Sequence, residues 1–101
     1  MKVFVNITSI TFILSDLESN SNHNRVKPKY PCIEKINKMY DNGDEIVYWI
    51  PKELNGEIDW ENFMFKKLME WGCSFNDITC ESKESLLDLN VGSEITIIEE
   101  I

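Results

Sequence analysis

Two short runs of β-branched and aromatic residues constrain the fold of this chain most strongly. Residues 2–7 read Lys-Val-Phe-Val-Asn-Ile, and residues 45–50 read Glu-Ile-Val-Tyr-Trp-Ile. Both runs are almost continuously apolar, which is the pattern of a strand that is buried on both faces. Strands of this kind occur in parallel sheets that carry helices on both sides. The two runs therefore predict two strands of a largely parallel sheet.

A segment with helical spacing separates the two predicted strands. Pro31 has the fixed backbone angle that suits a first helical turn, and Asp-Asn-Gly at residues 41–43 supplies a helix stop. Between them, apolar side chains recur at helical intervals, at Ile33, Ile36, Met39 and Tyr40. The sequence therefore predicts a helix that begins near Pro31 and ends near Gly43.

A second helical pattern follows the strand at residues 45–50, which Pro51 ends. Asp59 is a suitable amino-terminal cap, and Gly72 is a suitable residue just beyond the last turn. The apolar stripe of this helix consists of Trp60, Met64, Leu68 and Trp71. An aromatic stripe at this spacing indicates packing against a sheet rather than a ligand platform.

Further short strands are predicted around residues 77–80, 86–89 and 94–98. Strands that alternate with helices imply crossover connections and a mostly parallel sheet. At 101 residues, the whole chain is expected to form one domain. We therefore predict an α/β protein with a small, Rossmann-like, three-layer fold. The polar segment at residues 15–30 is predicted to be a mobile, solvated loop.

The charge balance bears on the class of partner. The chain carries 18 acidic and 10 basic residues, for a net charge of -8. Such a surface repels nucleic acid and anionic lipid, so neither is expected as a partner. The amino-terminal apolar run is too short and too polar to span a bilayer, and it lacks a signal-peptide cleavage pattern. A protein with a basic surface is the partner that the charge favours.

Cysteine usage indicates a reducing compartment such as the cytoplasm. The three cysteines form no Cys-x-x-Cys pair, and the single histidine, His23, is far from them in sequence. No zinc site is therefore expected, and Cys73 and Cys80 are predicted to be small core residues. The chain contains no alanine or glutamine, a bias typical of an AT-rich genome of viral or organellar origin.

The order of packing and turn features resembles that of a known superfamily. These features are Tyr-Pro at residues 30–31 before the first helix, the strand at residues 46–49, Gly-x-Ile-Asp-Trp at residues 56–60, and Glu-Trp-Gly at residues 70–72 ahead of Phe75. In these features the chain is similar to haloacid dehalogenase-like proteins, in particular to small capsule-biosynthesis or polynucleotide-phosphatase-like hydrolases. The resemblance covers most of the chain and implies a domain without a cap. The alternative is an unrelated small α/β domain.

The nucleophile and the general acid of that superfamily are replaced in this sequence. Its enzymes carry Asp-x-Asp-Gly-Thr after the first strand, where the first Asp attacks phosphorus and the second protonates the leaving group. Here the corresponding segment reads Asn-Ile-Thr-Ser-Ile, beginning at Asn6. An amide has no anionic oxygen, and the hydroxyl of Thr8 is not an acid near neutral pH. The resemblance therefore implies a protein without this chemistry.

The phosphate-holding and metal-holding positions of the superfamily are replaced as well. Ile50 stands where a Thr or Ser holds phosphate, and Ser82 stands where a Lys balances its charge. The paired acids that help to bind magnesium correspond to Asn90 and Val91. Because magnesium prefers carboxylate oxygens, no metal or other cofactor is expected.

The resemblance leads to one main hypothesis and two alternatives. The main hypothesis is an inactive haloacid dehalogenase-like protein that serves as a protein-binding subunit, adaptor or inhibitor. Its contacts would involve residues 16–24 and the acidic side chains of Glu94, Glu99 and Glu100. The first alternative is a neutral crevice that binds a sugar or nucleoside without cleaving it, lined by Asn6, Thr8, Ser9, Ser82 and Asn90. The second is a rescued magnesium-dependent phosphatase, with displaced catalytic groups at Lys52, Glu81 and Asp88.

Overall fold

The computed structural model describes residues 1–13, 26–52 and 59–100. In these residues the chain forms six strands and three α-helices. The strands are β1 (Lys2–Asn6), β2 (Thr11–Ile13), β3 (Val26–Pro28), β4 (Glu45–Pro51), β5 (Asp77–Glu81) and β6 (Ile95–Ile98). The helices are α1 (Tyr30–Asp41), α2 (Trp60–Glu70) and α3 (Lys83–Leu89), and a 3-10 turn covers Ile7–Ser9. None of the described helices is long and apolar enough to cross a membrane.

Four strands form a parallel sheet in the order β5-β4-β1-β6. The chain moves from β1 to its neighbour β4 through α1, and then outward to β5 through α2. It then returns through α3 to β6, on the other side of β1. The direction of winding therefore reverses between β1 and β6, as it does in doubly wound α/β folds. The predicted Rossmann-like fold class is confirmed.

The larger core lies between the sheet and the helices α1 and α2. Alternate side chains of β1 and β4 point to this side, as expected for extended strands. The sheet contributes Val3, Val5, Ile46, Tyr48 and Ile50, and the helices contribute Ile33, Ile36, Met64 and Leu68. The helical stripes predicted from the sequence therefore pack as core, with Trp60 and Trp71 half-buried at its margin.

A smaller core lies on the opposite face of the sheet, under α3. It consists of Phe4, Val47 and Trp49 from the strands and Leu86 from the helix. Ile95 and Ile97 of β6 pack against this cluster and are half-buried. The two cores on opposite faces give a three-layer structure, in which the described residues place two helices on one side of the sheet and one short helix on the other.

The ends of α1 and α2 lie where the sequence predicts them. Pro31 occupies the first turn of α1, and Gly43 follows that helix with a φ of 98°. The Asp59 carboxylate accepts a hydrogen bond from the Asn62 backbone N–H at 3.2 Å and so caps α2. Gly72 follows α2 with a φ of 73°. These positive φ angles are the left-handed conformation that glycine adopts without strain.

The prediction of a loop over residues 15–30 is wrong for its last part. Val26–Pro28 forms β3, which pairs with β2 in an antiparallel ribbon, and Tyr30 already belongs to α1. The Val26 side chain is buried, and the Lys29 backbone N–H donates to the Ile10 carbonyl at 2.7 Å. Apolar burial and backbone pairing therefore order this stretch. Residues 15–25 of the predicted loop lie outside the described part of the chain.

The prediction of a strand at residues 86–89 is also wrong, because these residues belong to α3. The Ser82 hydroxyl oxygen accepts a hydrogen bond from the Ser85 backbone N–H at 3.1 Å and caps the helix. A parallel connection from β5 to β6 also needs a crossover segment, which this helix supplies. Leu86 alone is buried, whereas the exposed fractions of Leu87 and Leu89 are 46% and 72%.

Candidate functional site

The carboxyl edge of the sheet is the first place to look for a ligand site. In doubly wound α/β proteins, ligands bind at the carboxyl ends of the strands, at the point where the winding reverses. Here that point lies between the end of β1 at Asn6 and the end of β6 at Ile98. Three of the side chains singled out by the sequence, Asn6, Thr8 and Ser9, lie at this edge.

These three residues form one local hydrogen-bond cluster. The Asn6 side-chain oxygen accepts from the backbone N–H of Thr8 at 3.0 Å and from its hydroxyl at 2.8 Å. The buried Ser9 hydroxyl donates to the Asn6 carbonyl at 2.7 Å. Asn6 is thus the cap of the turn that follows β1, which is a role that asparagine performs well. The residue that the resemblance aligns with a nucleophile therefore has a structural task.

Ser82 and Ile50 do not add a phosphate-holding group to this cluster. Ser82 follows β5, two strands away from β1, which corresponds to about 10 Å at the usual strand spacing. Its hydroxyl is engaged with Ser85, both as the helix cap and in a side-chain hydrogen bond of 3.0 Å. The Ile50 side chain is buried in the larger core. It is therefore inaccessible to a ligand.

The expected grouping of Asn90 with Asn6 is wrong, because α3 carries Asn90 to the opposite edge of the sheet. Asn90 ends α3, and its side-chain N–H donates to the Leu86 carbonyl at 2.7 Å. The turn after Asn90 leads to Ile95, which pairs with Lys2 at the start of β1. Val91, whose exposed fraction is 80%, lies in the same turn. Neither residue is placed where it could complete a metal site with Asn6.

The three displaced groups of the rescued-phosphatase alternative do not converge either. Asp88 is exposed on α3, so its predicted strand alignment with Asn90 is wrong. Glu81 lies at the end of β5 and its side chain lines a groove on the α3 face. Lys52 directly follows β4 and is exposed. In the described ranges, no group of three or more His, Cys, Asp or Glu side chains could hold a metal ion.

Charged side chains make the carboxyl edge less neutral than expected. The Lys29 ammonium lies 3.4 Å from the Thr8 carbonyl oxygen and 4.6 Å from the centre of the Phe12 ring. Lys83, next to Ser82, forms an ion pair of 2.8 Å with Glu99, which follows β6. This edge of the sheet is therefore not the neutral crevice that the sequence predicts for a sugar or nucleoside.

The acidic residues proposed for partner contacts are exposed where the structure describes them. Glu94, Glu99 and Glu100 are all on the surface, and Glu99 is the partner of Lys83. Residues 16–24 lie outside the described ranges. The three cysteines are half-buried against the larger core, so the prediction of Cys73 and Cys80 as small core residues is confirmed in part.

A second candidate surface lies on the α3 face, where a groove of about 290 Å³ opens between α3 and β5. Phe4, Val47 and Leu86 line it with apolar surface. Carboxylates line it as well, at Glu45, Asp77 and Glu81. The sequence offers only one signal for this groove, which is the alternation of polar and apolar residues in Asp-Ile-Thr-Cys-Glu at residues 77–81. Such alternation predicts a strand with one solvated face.

Tyr48 is a buried polar group that no pattern in the sequence indicates. Its ring lies in the larger core, edge-on to Phe75 at 5.8 Å, and no group in the described ranges has hydrogen-bond geometry to its hydroxyl. Burial raises the pKa of the phenol far above its usual value, and the nearby Cys73 adds to the shift. Burial likewise raises the pKa of the Cys73 thiol, from 9.0 to about 11, and Tyr48 partly opposes that shift.

Replacing Tyr48 by phenylalanine should stabilise the protein. The substitution removes a buried hydroxyl whose one polar neighbour in the described ranges is the weakly bonding Cys73 thiol, so the free energy of unfolding should rise by about 1–2 kcal/mol. Because the pKa values of Tyr48 and Cys73 are higher in the folded state, the folded protein retains protons that the unfolded chain releases. Wild-type stability should therefore fall as the pH rises above about 9, and Tyr48→Phe should weaken this fall. Urea denaturation between neutral and alkaline pH measures both effects.

Tyr40→Phe is the matched control for Tyr48→Phe. Tyr40 is an exposed tyrosine near the end of α1, so removing its hydroxyl should leave the stability within about 0.5 kcal/mol of wild type. A loss of stability in Tyr48→Phe would show that the Tyr48 hydroxyl has a bonding partner in solution. An alkaline profile that Tyr48→Phe leaves unchanged would show that folding does not raise the pKa of Tyr48.

Comparison with known proteins finds no relative for this chain: no protein-family model, no curated protein and no solved structure matches it.

Proposed function

We propose that this chain is a catalytically inactive, haloacid dehalogenase-like protein that acts by binding another protein, as a subunit, adaptor or inhibitor. One observation carries the proposal. At the end of β1, where the resemblance places a nucleophile and a general acid, Asn6 and Thr8 hydrogen-bond to each other and cap a turn. Hydrolysis by that chemistry would need carboxyl groups at both positions, one ionised as the nucleophile and one protonated as the acid, whereas a binding domain needs only a stable scaffold.

Other features of the site support the same proposal. Four of the replaced positions have structural tasks: Asn6, Ser82 and Asn90 are helix or turn caps, and Ile50 belongs to the core. Selection for stability is enough to explain these residues, so no catalytic role is needed to explain them. The acidic surface and the exposed apolar side chains of α3 are features that protein-binding surfaces have.

The small-molecule alternative has less support. Asn6, Thr8, Ser9, Ser82 and Asn90 all make hydrogen bonds within the protein, so binding a sugar would compete with existing caps. Asn90 also lies at the far edge of the sheet. The Lys29 ammonium at the carboxyl edge would favour an anion over a neutral ligand.

Restoring the two acids of the superfamily should not create an enzyme. Asn6→Asp keeps a side chain that caps well, so the double variant Asn6→Asp/Thr8→Asp should fold. Its rate of magnesium-dependent hydrolysis of p-nitrophenyl phosphate should equal that of a blank, because Ile50 is buried and Ser82 carries no charge. The wild-type protein should also match the blank.

Circular dichroism of both proteins provides the control for folding in this assay. Turnover by the wild-type chain above the blank would contradict the proposal of an inactive protein. Turnover by the double variant alone would show that phosphate is held by groups other than those the resemblance indicates.

A further inference from the structure

The strand β6 is an open edge of the parallel sheet. Among the described residues it is hydrogen-bonded to β1 alone, and no backbone hydrogen bond from a turn or loop there reaches Ile95–Ile98. An edge strand directs part of its backbone N–H and C=O groups away from its one neighbour. Those groups of β6 are therefore available to pair with another strand.

The side chains of β6 are mostly apolar and remain partly exposed. The strand reads Ile-Thr-Ile-Ile, with no charged residue and no proline. All four residues are only half-buried, whereas Val3, Phe4 and Val5 of β1, which has a strand on each side, are at most 4% exposed. A further strand beside β6 would bury more of this apolar surface.

The opposite edge strand, β5, is protected against such pairing. It carries Asp77, Thr79 and Glu81 at alternate positions, which share one face of the sheet. The Glu81 carbonyl also accepts a hydrogen bond from the Trp49 indole N–H at 3.0 Å. Charged side chains on an edge strand oppose the addition of another strand. Because β6 carries no charge within the strand, it is the more receptive of the two edges.

Acidic residues flank β6 at both ends. Glu94 precedes the strand, and Glu99 and Glu100 follow it, all of them exposed. Of these three carboxylates, only that of Glu99 has a cationic partner in the described ranges, which is Lys83. Glu94 and Glu100 therefore leave negative charge at the two ends of an apolar strand.

We propose that β6 binds an extended segment of another protein as a fifth strand, in which apolar residues lie between lysine or arginine residues. The backbone of that segment would pair with the open edge of β6, and its basic side chains would lie beside Glu94 and Glu100. The inference rests on the proposed protein-binding function and gives it a location and a partner chemistry.

A second copy of this chain is disfavoured as the occupant of the edge. In a parallel pairing of β6 with itself, Glu94 of one copy would lie beside Glu94 of the other. In an antiparallel pairing, Glu94 would lie beside Glu99 and Glu100 of the other copy. Like charges placed opposite each other destabilise a strand pair in both cases.

Backbone-modified peptides test the pairing. The probe is a dye-labelled peptide of about seven residues, in which alternating valine and threonine are flanked by a lysine at each end. Two derivatives of the same sequence carry N-methyl groups on one or the other set of alternate residues, so each lacks backbone N–H donors along one edge only. In fluorescence anisotropy with the full-length protein, one derivative should bind within about threefold of the probe and the other at least about tenfold more weakly.

Two pairs of variants separate this edge from general charge attraction. Glu94→Lys/Glu100→Lys should weaken binding of the probe about tenfold. Asp77→Lys/Glu81→Lys makes the same change in net charge at the two ends of β5, the other edge strand. This control should weaken binding less than about threefold.

Equal affinities of the two methylated peptides, or equal losses in the two pairs of variants, would overturn the inference. A dimer of this chain that the probe dissociates would also overturn it, because a second copy would then be the occupant of the edge.

Capture of a native partner distinguishes the inference from the proposed function. If Glu94→Lys/Glu100→Lys retains the partner as well as wild type does, the inference fails and the proposed function stands. If wild type retains no protein at all, the proposed function itself fails, and the inference fails with it.

Discussion

Replacing Trp49 by alanine should lower the free energy of unfolding by about 3–5 kcal/mol, since a buried tryptophan leaves a large cavity. Trp49 is the largest side chain of the smaller core, and its indole N–H donates to the Glu81 carbonyl at 3.0 Å. The substitution therefore removes packing against Phe4, Val47 and Leu86 and also leaves a carbonyl without its partner. A domain of this size has about 5–15 kcal/mol of stability, so urea denaturation should show a greatly reduced midpoint.

Leu87→Ala is the control for Trp49→Ala. Leu87 lies next to the core residue Leu86 on α3 but faces solvent, so its truncation should change the stability by about 0.5 kcal/mol or less. If Trp49→Ala were equally mild, α3 would not cover a core and the three-layer description would be wrong on this side of the sheet.

Replacing Leu68 by alanine should lower the free energy of unfolding by about 2–5 kcal/mol. Leu68 is fully buried where α2 packs on the sheet, in the larger core with Met64, Tyr48 and Ile50. The resulting cavity lies among side chains from two layers and cannot be filled by the movement of one of them alone. Urea denaturation at neutral pH, monitored by tryptophan fluorescence, measures the loss.

The neighbouring residue provides the control for Leu68→Ala. Met69 is next in the sequence and 62% exposed, so Met69→Ala should leave the midpoint nearly unchanged. Similar losses for the two substitutions would mean that α2 packs with a different face toward the sheet than the one described here.

The sequence predicts the larger core well because its signals are strong and local. The continuous apolar runs identify β1 and β4, and side chains with clear geometric roles mark the helix ends at Asp59, Gly43 and Gly72. The stripe on α2 repeats over the whole helix, so its period cannot be mistaken for that of a strand.

The sequence predicts the α3 side of the sheet less well, because the segment that forms this helix is short. Ser-Leu-Leu-Asp-Leu at residues 85–89 contains too few apolar residues to separate a helix from a strand by period. Ser82 caps the helix and so carries the missing information, but the resemblance aligns it with a phosphate position. Because the sequence predicts a strand at residues 86–89, it also predicts Asp88 and Asn90 at the carboxyl edge of the sheet. Both residues instead lie on or after α3.

The candidate site was predictable only as far as β1. Asn6, Thr8 and Ser9 are close in sequence, and they lie together in the structure. Their hydrogen bonds to one another were not anticipated, because a capping turn after β1 has no strong signature of its own. The groove beside α3 depends on the register of β5 with β4, which is a long-range pairing that no local pattern determines.

Co-purification tests most directly the proposal that the protein acts by binding another protein. Tagged full-length protein is captured from the organism that encodes it at moderate salt, with a parallel wash at high salt, and retained proteins are identified by mass spectrometry. We expect one companion in stoichiometric amount that high salt removes, because an acidic surface meets a basic one. Recovery of the chain alone at moderate salt would contradict it.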